Sequence, residues 1–464
     1  MLWDPIACAR ALRTPRGMFI RRFESEGLAH HAYYIADGGE AVVCDPSRDV
    51  DRFLDLARER GESIRFVLET HRNEDYVIGS TALAAATGAR VLHSAQQDFA
   101  YGEGVRDGDR FGVGDLDFGV METPGHTWDS LCFAIAQRSA GSRALAVLSG
   151  DTLFAGDTGR TDLLGEREAE RLAPALFESL QRLMALGDGV SLLPAHGPGS
   201  VCGGNIADRP ISTLGFERHA NPLLSKQKAN FTEAKHGESH VRPPYFRLME
   251  EYNLRGNAPI LERLPQPKWV EPIDVQETLQ AGGTVVDLRT PEAFAGGHVP
   301  GSYNLWLEGL PAYLGWIAES REPLTLILPE DAATDRVIRM AVRIGFDRLS
   351  ILRGGFGAWR DSGRTVGRIG TTDAPGFQSR PAREKPVVLD VRKPGERPAH
   401  APDDHLPIFV GELEQRLEEV PEQRPVVTAC GVGHRGGLAA SILARHGFEH
   451  VENLLGGFTA LGTR

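Results

Sequence analysis

The sequence predicts an α/β protein of three successive units, and three observations support this. Its 464 residues correspond to about three domains of ordinary size. Hydrophobic residues make up 41% and charged residues 25%, the balance of a globular protein that can bury cores. Apolar, strand-like runs alternate with amphipathic stretches over residues 20–215, whereas the second half of the chain repeats itself.

The first unit begins with a clear hairpin and helix. HAYYIADGGEAVVCDP (31–46) reads as two strands that turn at Asp37-Gly38-Gly39, and DVDRFLDLARERG (49–61) as the helix that follows. RALAVLSGD (143–151) and VSLLPAHG (190–197) are further buried strands that end in polar loops. In α/β architectures the loops after strands are where functional residues gather.

The second and third units are related in sequence. TVVDLRTPEAF is echoed by PVVLDVRKPGER, and RIGFDRLSILRGGFGAW by RHGFEHVENLLGGFTAL. Asp287 corresponds to Asp390 and Gly354 to Gly456, so the repeat is about 100 residues long. Polar, Pro- and Gly-containing stretches between units predict linkers. The predicted division is 1–240 for the first unit, 241–265 for a linker, 266–370 for the second unit, 371–384 for a linker and 385–464 for the third unit.

Composition argues against several classes of protein. A net charge of −12 argues against a nucleic-acid partner, because phosphate binding relies on basic surface. No apolar run of transmembrane length occurs, and the Arg-rich start lacks the apolar stretch of a secretory signal, although it leaves a transit peptide possible. The cysteines are scattered and odd in number, unlike a disulfide framework, so we expect a reducing cytoplasm. They are Cys8, Cys44, Cys132, Cys202 and Cys430.

The first candidate site lies in ETHRNEDYVIGS (69–80), TPGHT (123–127), SGDTLFAGDTGRTDL (149–163) and PAHGPGS (194–200). Together these segments resemble the metallo-β-lactamase superfamily, whose signature is T-H-x-H-x-D-H. The resemblance implies an αββα sandwich in which His71, His126, Asp151 and His196 stand at metal-site positions. Asn73 and Tyr76 occupy positions where that signature has histidines.

Losing those histidines should remove the second metal that two-zinc hydrolases use to hold a hydroxide. Two imidazoles and one carboxylate, from His71, His126 and Asp151, match the facial triad of mononuclear non-haem Fe(II) oxygenases. The same positions are the iron ligands in the persulfide dioxygenase branch, which this segment resembles. The resemblance implies one Fe(II) per chain.

Other residues near this site have two possible roles each. Asp75 is either an acceptor for a ligand imidazole or a helix cap, and Arg160 either braces its loop or binds an anionic substrate tail. His196 is expected to be a relic that does not bind metal, or a group that supports the ligands. Cys202 resembles a cysteine near the iron of multidomain, thiosulfate-forming relatives, but a small buried hydrophobe is an equally good interpretation.

The second candidate site is the loop Cys430-Gly431-Val432-Gly433-His434-Arg435, which follows a buried strand and opens a helix. Its C-x-x-G-x-R pattern resembles the active loop of rhodaneses, the sulfurtransferases. Glycines let backbone N–H groups turn towards the sulfur, and the helix N-terminus adds positive potential, so a thiolate is favoured. Arg435 would be a fixed cation for sulfite or thiosulfate.

The earlier copy of this loop lacks a nucleophile. Pro329 occupies the position of Cys430, so the second unit should be inert as a transferase and serve as a scaffold or docking unit. The third unit is degenerate in another region, where HLPI around His405 replaces GHVPGSYNL, and it ends six residues after Phe458. Its substrate pocket is therefore predicted to be short.

The domain order resembles persulfide dioxygenase–rhodanese fusions along nearly the whole chain. This implies oxidation of a low-molecular-weight persulfide with O₂ to sulfite, and sulfurtransfer at Cys430 that forms or uses thiosulfate, in sulfide detoxification. Partners would be a thiol persulfide, O₂ and sulfite or thiosulfate, without nucleic acid or membrane, in a homo-oligomer. The alternatives are a zinc thioester hydrolase of glyoxalase II type and a non-enzymatic sulfur carrier or redox sensor.

Overall fold

The first unit is a sandwich of two sheets. The computed structural model describes residues 17–238, 240–261, 263–381, 385–397 and 405–462; Cys8 and the Arg-rich start lie outside these ranges. One sheet has the order β1-β2-β3-β4-β5-β6 and consists of β1 (Phe19–Ser25), β2 (His30–Asp37), β3 (Glu40–Cys44), β4 (Ser63–Leu68), β5 (Arg90–Ser94) and β6 (Glu103–Val105). The other has the order β12-β11-β10-β9-β8-β7 and consists of β7 (Arg110–Val113), β8 (Leu116–Glu122), β9 (Leu131–Gln137), β10 (Ala144–Gly150), β11 (Ser191–Pro194) and β12 (Ser212–Thr213).

Helices flank the two sheets. They are α1 (Asp51–Arg60), α2 (Ser80–Thr87), α3 (Glu166–Met184), α4 (Leu214–Ala220) and α5 (Lys228–His236), and α6 (Phe246–Arg255) follows them in the chain. Ile35 of the first sheet and Phe133 of the second lie in one buried cluster between the sheets. Phe53 of α1 packs on the first sheet and Leu180 of α3 on the second. The unit is therefore an αββα sandwich, with the predicted hairpin and first helix both present.

The second and third units share one topology. The second has β13 (Lys268–Val270), β14 (Thr284–Asp287), β15 (Tyr303–Asn304), β16 (Leu324–Ile327) and β17 (Leu349–Leu352), with α7 (Pro272–Gln280), α8 (Pro291–Gly296), α9 (Leu310–Ile317), α10 (Thr334–Arg343) and α11 (Gly355–Asp361). The third has β18 (Gly370–Thr372), β19 (Val387–Asp390), β20 (His405–Pro407), β21 (Val426–Ala429) and β22 (Val451–Leu454), with α12 (Ala374–Gln378), α13 (His434–Arg445) and α14 (Gly457–Ala460). Their sheet orders, β13-β17-β16-β14-β15 and β18-β22-β21-β19-β20, are equivalent position by position, as the sequence repeat predicts.

The segment 241–265 is not the linker that its polar composition predicts. It contains α6, whose Phe246 and Met249 are fully buried in a hydrophobic cluster shared with the second and third units. The apolar residues of so short a helix are too few to stand out against its charged flanks. This stretch is part of the packed structure.

The segment 371–384 differs from its predicted role in the same way. β18 pairs in parallel with β22, Gly370 opposite Glu452, so the third unit starts at its edge strand. A strand of three residues shows no alternation of apolar and polar residues in the sequence, so the predicted start of the third unit falls after this strand. The degenerate stretch around His405 still forms β20, which pairs with β19.

The second unit docks on the first through α10. The Arg343 guanidinium donates to both Asp49 oxygens at 2.9 and 2.7 Å, and Arg339 donates to Asp51 at 2.7 Å. In the opposite direction, the guanidinium of Arg48 in the first unit donates to both carboxylate oxygens of Asp347 in the second, at 2.5 and 2.8 Å. These contacts agree with the docking role expected for the unit without the cysteine.

No helix in the described ranges is both long enough and apolar enough to cross a bilayer.

Candidate metal centre and sulfurtransfer site

Three buried ligand-type side chains converge at one edge of the first sandwich. His71 follows β4, His126 follows β8 and Asp151 follows β10 directly, and their ligand atoms all lie within 4.8 Å of one another. Asp151 Oδ2 is 3.9 Å from His71 Nε2 and 3.5 Å from His126 Nε2. The three residues expected to bind metal are thus brought together.

One glycine makes this approach possible. Gly150, the last residue of β10, has φ +51°, and a Cβ there would lie 2.7 Å from the Thr70 side chain. Only glycine adopts this backbone conformation readily and leaves room for Thr70. The ends of β4 and β10 therefore meet closely enough to place His71 and Asp151 side by side.

The donor set fits a metal ion. His71 Nε2, His126 Nε2 and Asp151 Oδ2 are buried, and none of them has a hydrogen-bond partner among the described residues. The opposite ring nitrogens are fixed, since His126 Nδ1 donates to the Arg160 carbonyl at 2.8 Å and His71 Nδ1 lies 3.0 Å from Thr70 Oγ1. Hydrogen bonds of this kind select the tautomer that leaves Nε2 free to ligate.

His196 supports the carboxylate ligand. Its Nδ1 is 2.7 Å from Asp151 Oδ1 and its Nε2 is 3.1 Å from Asp75 Oδ2. Burial lowers the pKa of His196, but Asp151 and Asp75 raise it more, so the pKa lies well above the ordinary value. Asp75 was expected to accept a hydrogen bond from the imidazole of a metal ligand. In the structure it contacts His196 instead.

Arg160 braces the loops around the site. Its guanidinium donates to Asp162 at 2.6 and 2.8 Å and to the Val241 carbonyl at 3.3 Å. The residue is only 1% exposed, so its polar atoms are committed to the protein. The structure supports the bracing interpretation over binding of a substrate tail.

Cys202 lies beside the metal ligands. The residue is 1% exposed, and its Sγ is 3.5 Å from Glu74 Oε1. Burial, followed by the charges of Asp151, Asp75 and Glu74, raises the pKa of the thiol well above its ordinary value. Cys202 is thus buried, as expected for a small buried hydrophobe, and it is also adjacent to the candidate metal site, as the resemblance implies.

The second predicted site is also assembled. Cys430 lies between β21 and α13, and the Gly433 N–H donates to its Sγ at 3.1 Å. Gly433 has φ +100°, a conformation that lets the chain curl around the sulfur before the helix begins. Cys430 is 1% exposed and lines a cavity of about 700 Å³.

Arg435, predicted to be a fixed cation for a sulfur oxyanion, is paired with a carboxylate. Its guanidinium donates to both oxygens of Glu396, at 2.8 and 2.6 Å. Burial opposes ionisation of Glu396, but the Arg435 hydrogen bond and charge keep the pKa of the carboxyl below its ordinary value. An anionic substrate must therefore share or displace this carboxylate.

Comparison with known families agrees with the geometry. The family described as metallo-beta-lactamase superfamily matches residues 26–196. The rhodanese-like domain family matches twice, at 271–362 and 374–463. The chain is a metallo-beta-lactamase domain followed by two rhodanese-like domains.

Individual relatives cover the chain in part. A beta-lactamase hydrolase-like protein of Agrobacterium fabrum is 26% identical over 269 residues, which is 50% of this chain and 57% of that protein. A hydroxyacylglutathione hydrolase of Pseudomonas entomophila is 36% identical over 193 residues, which is 40% of this chain and 66% of that protein. The crystal structure of a metallo-beta-lactamase from Staphylococcus aureus is 27% identical with a TM-score of 0.65, and the match covers 73% of this chain and 99% of that one.

The metallo-beta-lactamase domain has a further residue at its centre that sequence reasoning missed. Glu74 Oε1 is 3.3 Å from His126 Nε2, and its Oε2 is 3.9 Å from His71 Nε2. Burial raises the pKa of Glu74, but His126 and His71 outweigh it and bring the pKa to about 2. Glu74 lies in the irregular loop between β4 and α2, so no helical or strand periodicity in the sequence indicates that it approaches His71.

Asn73 and Tyr76 make other contacts in the loop after His71. The Asn73 side-chain amide donates to the His71 carbonyl at 3.2 Å. Tyr76 is fully buried in a hydrophobic cluster, with its ring 4.0 Å from that of His30. At these two positions the metallo-beta-lactamase signature has been replaced by local packing.

The first rhodanese-like domain is built without a nucleophile. Pro329 lies between β16 and α10, where Cys430 lies between β21 and α13 in the second copy. Among the described residues the free cysteines are Cys44, Cys132, Cys202 and Cys430, all buried, and none of them belongs to this domain.

Proposed function

We propose that the metallo-beta-lactamase domain is a mononuclear non-haem Fe(II) dioxygenase that oxidises low-molecular-weight persulfides to sulfite. One observation carries this proposal. Two imidazole nitrogens and one carboxylate oxygen, from His71, His126 and Asp151, converge in a buried site without hydrogen-bond partners among the described residues. Such a facial set leaves positions open for substrate and O₂, and packing residues stand where two further histidines would be needed for a second metal.

The reaction balances as R–S–SH + O₂ + H₂O → R–SH + sulfite + 2H⁺. A bound Fe(II) would supply the centre at which O₂ and the terminal sulfur are brought together and electrons are exchanged. His71, His126 and Asp151 would hold it, and their burial excludes bulk water from the reacting groups.

The second rhodanese-like domain would transfer sulfane sulfur. The Cys430 thiolate attacks the terminal sulfur of R–S–SH, a new S–S bond forms, and the R–S⁻ thiolate leaves. The Gly433 N–H at 3.1 Å from Sγ stabilises the negative charge on sulfur. Sulfite then removes the outer sulfur to give thiosulfate, and the reverse exchange uses the same contacts.

The decisive experiment measures oxygen uptake and metal content together. Iron-loaded protein is supplied with persulfides of glutathione, coenzyme A and cysteine, and we expect uptake with about one iron per chain. His71→Ala should lose both iron and uptake, whereas Cys430→Ser should lose sulfurtransfer and keep uptake. Absence of uptake with every persulfide would refute the dioxygenase, and normal transfer by Cys430→Ser would refute the division of labour.

A zinc-dependent thioester hydrolase is the second candidate. The hydroxyacylglutathione hydrolase relative favours it, and so does a second group of ligand-type atoms within 4.8 Å of one another, from Asp75, His196 and Cys202. Against it, both ring nitrogens of His196 already contact carboxylates. Two zinc ions per chain and hydrolysis of a glutathione thioester would establish this function instead.

A further inference from the structure

The 700 Å³ cavity beside Cys430 is bounded by all three domains. Residues 199–201 and 203–206 of the metallo-beta-lactamase domain form one wall, Trp306 and Tyr313 of the first rhodanese-like domain form another, and the Cys430 loop forms the third. We propose that this cavity, the transfer chamber, passes sulfite from the metal site to a Cys430 persulfide without release into bulk solvent. The inference rests on the proposed dioxygenase and transferase activities.

A single stretch of backbone separates the chamber from the metal site. Val201 and Gly203 line the chamber, whereas the side chain between them, Cys202, points the other way and lies 3.5 Å from Glu74 Oε1. Glu74 in turn lies 3.3 Å from the ligand atom of His126. The loop around Cys202 is therefore the wall that the chamber and the metal site share.

The domain without a cysteine holds the far wall in place. The Trp306 ring stacks on His434, with centroids 5.0 Å apart and planes at 23°, and His434 is the first residue of α13. Farther along α13, the Ser441 hydroxyl accepts from the Asn304 N–H at 2.9 Å. Gly437 packs so closely that a Cβ there would be 2.6 Å from Pro291 Cβ. The inert domain is therefore fixed against the helix that follows the nucleophile.

Confinement gives the chamber its chemical advantage. One sulfite ion in about 700 Å³ corresponds to a local concentration on the order of 1 M for as long as it stays in the chamber, and proximity of this kind favours the second step over bulk encounter. The sulfite sulfur attacks the outer sulfur of Cys430–S–S⁻, a bond forms between these two sulfurs, and the Cys430 thiolate leaves with the electron pair of the broken S–S bond. Thiosulfate and free Cys430 thiolate result, with no external oxidant or reductant.

Isotope dilution tests the proposal on the full chain. Unlabelled glutathione persulfide and O₂ are supplied with excess sulfite that carries heavy sulfur, and mass spectrometry reads the sulfonate sulfur of the thiosulfate. Transfer through the chamber predicts an unlabelled fraction at least about 5-fold above that of the bulk sulfite pool. Equal fractions would overturn the chamber, whereas absence of oxygen uptake would refute the dioxygenase itself.

Two controls make the result specific. An equimolar mixture of Cys430→Ser and His71→Ala chains must exchange sulfite through bulk, so its thiosulfate should match the bulk label. Trp306→Ala opens the chamber wall and should reduce the unlabelled fraction towards the bulk value, with oxygen uptake retained. Trp269→Ala, in the same domain but 44% exposed and outside the chamber, should behave as wild type. Equal retention in both tryptophan variants would contradict the assignment of the wall.

Discussion

Asn253 of α6 is expected to control both the stability of the chain and its retention of iron. Its amide nitrogen donates to the carbonyls of Asn73 at 2.7 Å and Tyr76 at 2.8 Å, and its Oδ1 accepts from the Ile78 N–H at 2.9 Å. Asn253 is 1% exposed, so Asn253→Ala leaves three backbone groups of the metal-site motif without a side-chain partner. At about 1 kcal/mol for each bond, the free energy of unfolding should fall by about 3 kcal/mol.

The same substitution should loosen the loop that carries His71, because its backbone bonds to α6 are lost. Urea unfolding followed by fluorescence measures the stability, and iron remaining after dialysis measures retention, which we expect to fall about tenfold. The matched control is Asn257→Ala, two residues beyond the end of α6 and exposed, which should change neither quantity. A loss below about 1 kcal/mol with normal iron content would refute the claim that α6 braces the motif.

Three further predictions concern other parts of the chain. Glu396→Gln should lower the KM for thiosulfate about 5-fold, since a partly exposed ion pair contributes about 1 kcal/mol. Glu419→Gln, which breaks an equally bidentate pair outside the chamber, should leave the KM unchanged. An unchanged KM in both variants would contradict the claim that Glu396 competes with thiosulfate for Arg435. Burial lowers the pKa of His298 from 6.5 to about 4, so its neutral form stabilises the fold above pH 6.5, and this contribution is lost as pH falls towards 4. Between pH 7 and 4, wild type should lose about 3 kcal/mol more than His298→Gln in urea unfolding, and equal losses would show that this histidine is not responsible. Asp49→Asn should cost about 3 kcal/mol because it leaves the buried Arg343 guanidinium without its charged partner, and a loss below about 1 kcal/mol in urea unfolding would show that the pair does not hold the domains together.

The convergence of the three candidate metal ligands was predictable from sequence because each of them follows a strand. His71, His126 and Asp151 come after β4, β8 and β10, and an α/β fold gathers such loops at one edge. Glu74 was not predictable from periodicity, since its direction depends on the irregular path of the loop. The predicted partner of Asp75 was incorrect for a related reason. Spacing along the chain suggested the imidazole of a metal ligand, whereas tertiary packing places His196 next to Asp75.

Contacts between residues far apart in the chain could not be predicted from local sequence patterns. Glu396 meets Arg435 from 39 positions away, and nothing in the C-x-x-G-x-R pattern predicts that carboxylate. The composition of residues 241–265 predicts a linker, because the packing of α6 depends on Asn253 and two buried hydrophobic residues rather than on a long apolar stripe. The duplicated domains, in contrast, were fully visible in sequence, since a repeat reports topology without any knowledge of contacts.

The docking of α10 has a consequence for how the protein unfolds. Arg339 and Arg343 bind the metallo-beta-lactamase domain, and the Val77 N–H donates to the Arg343 carbonyl at 2.7 Å. Unfolding of the first rhodanese-like domain would therefore break a backbone contact of the loop that carries His71. Such shared contacts join the two domains into a single cooperative unit, so a metal ion bound in one domain should raise the melting temperature of the other.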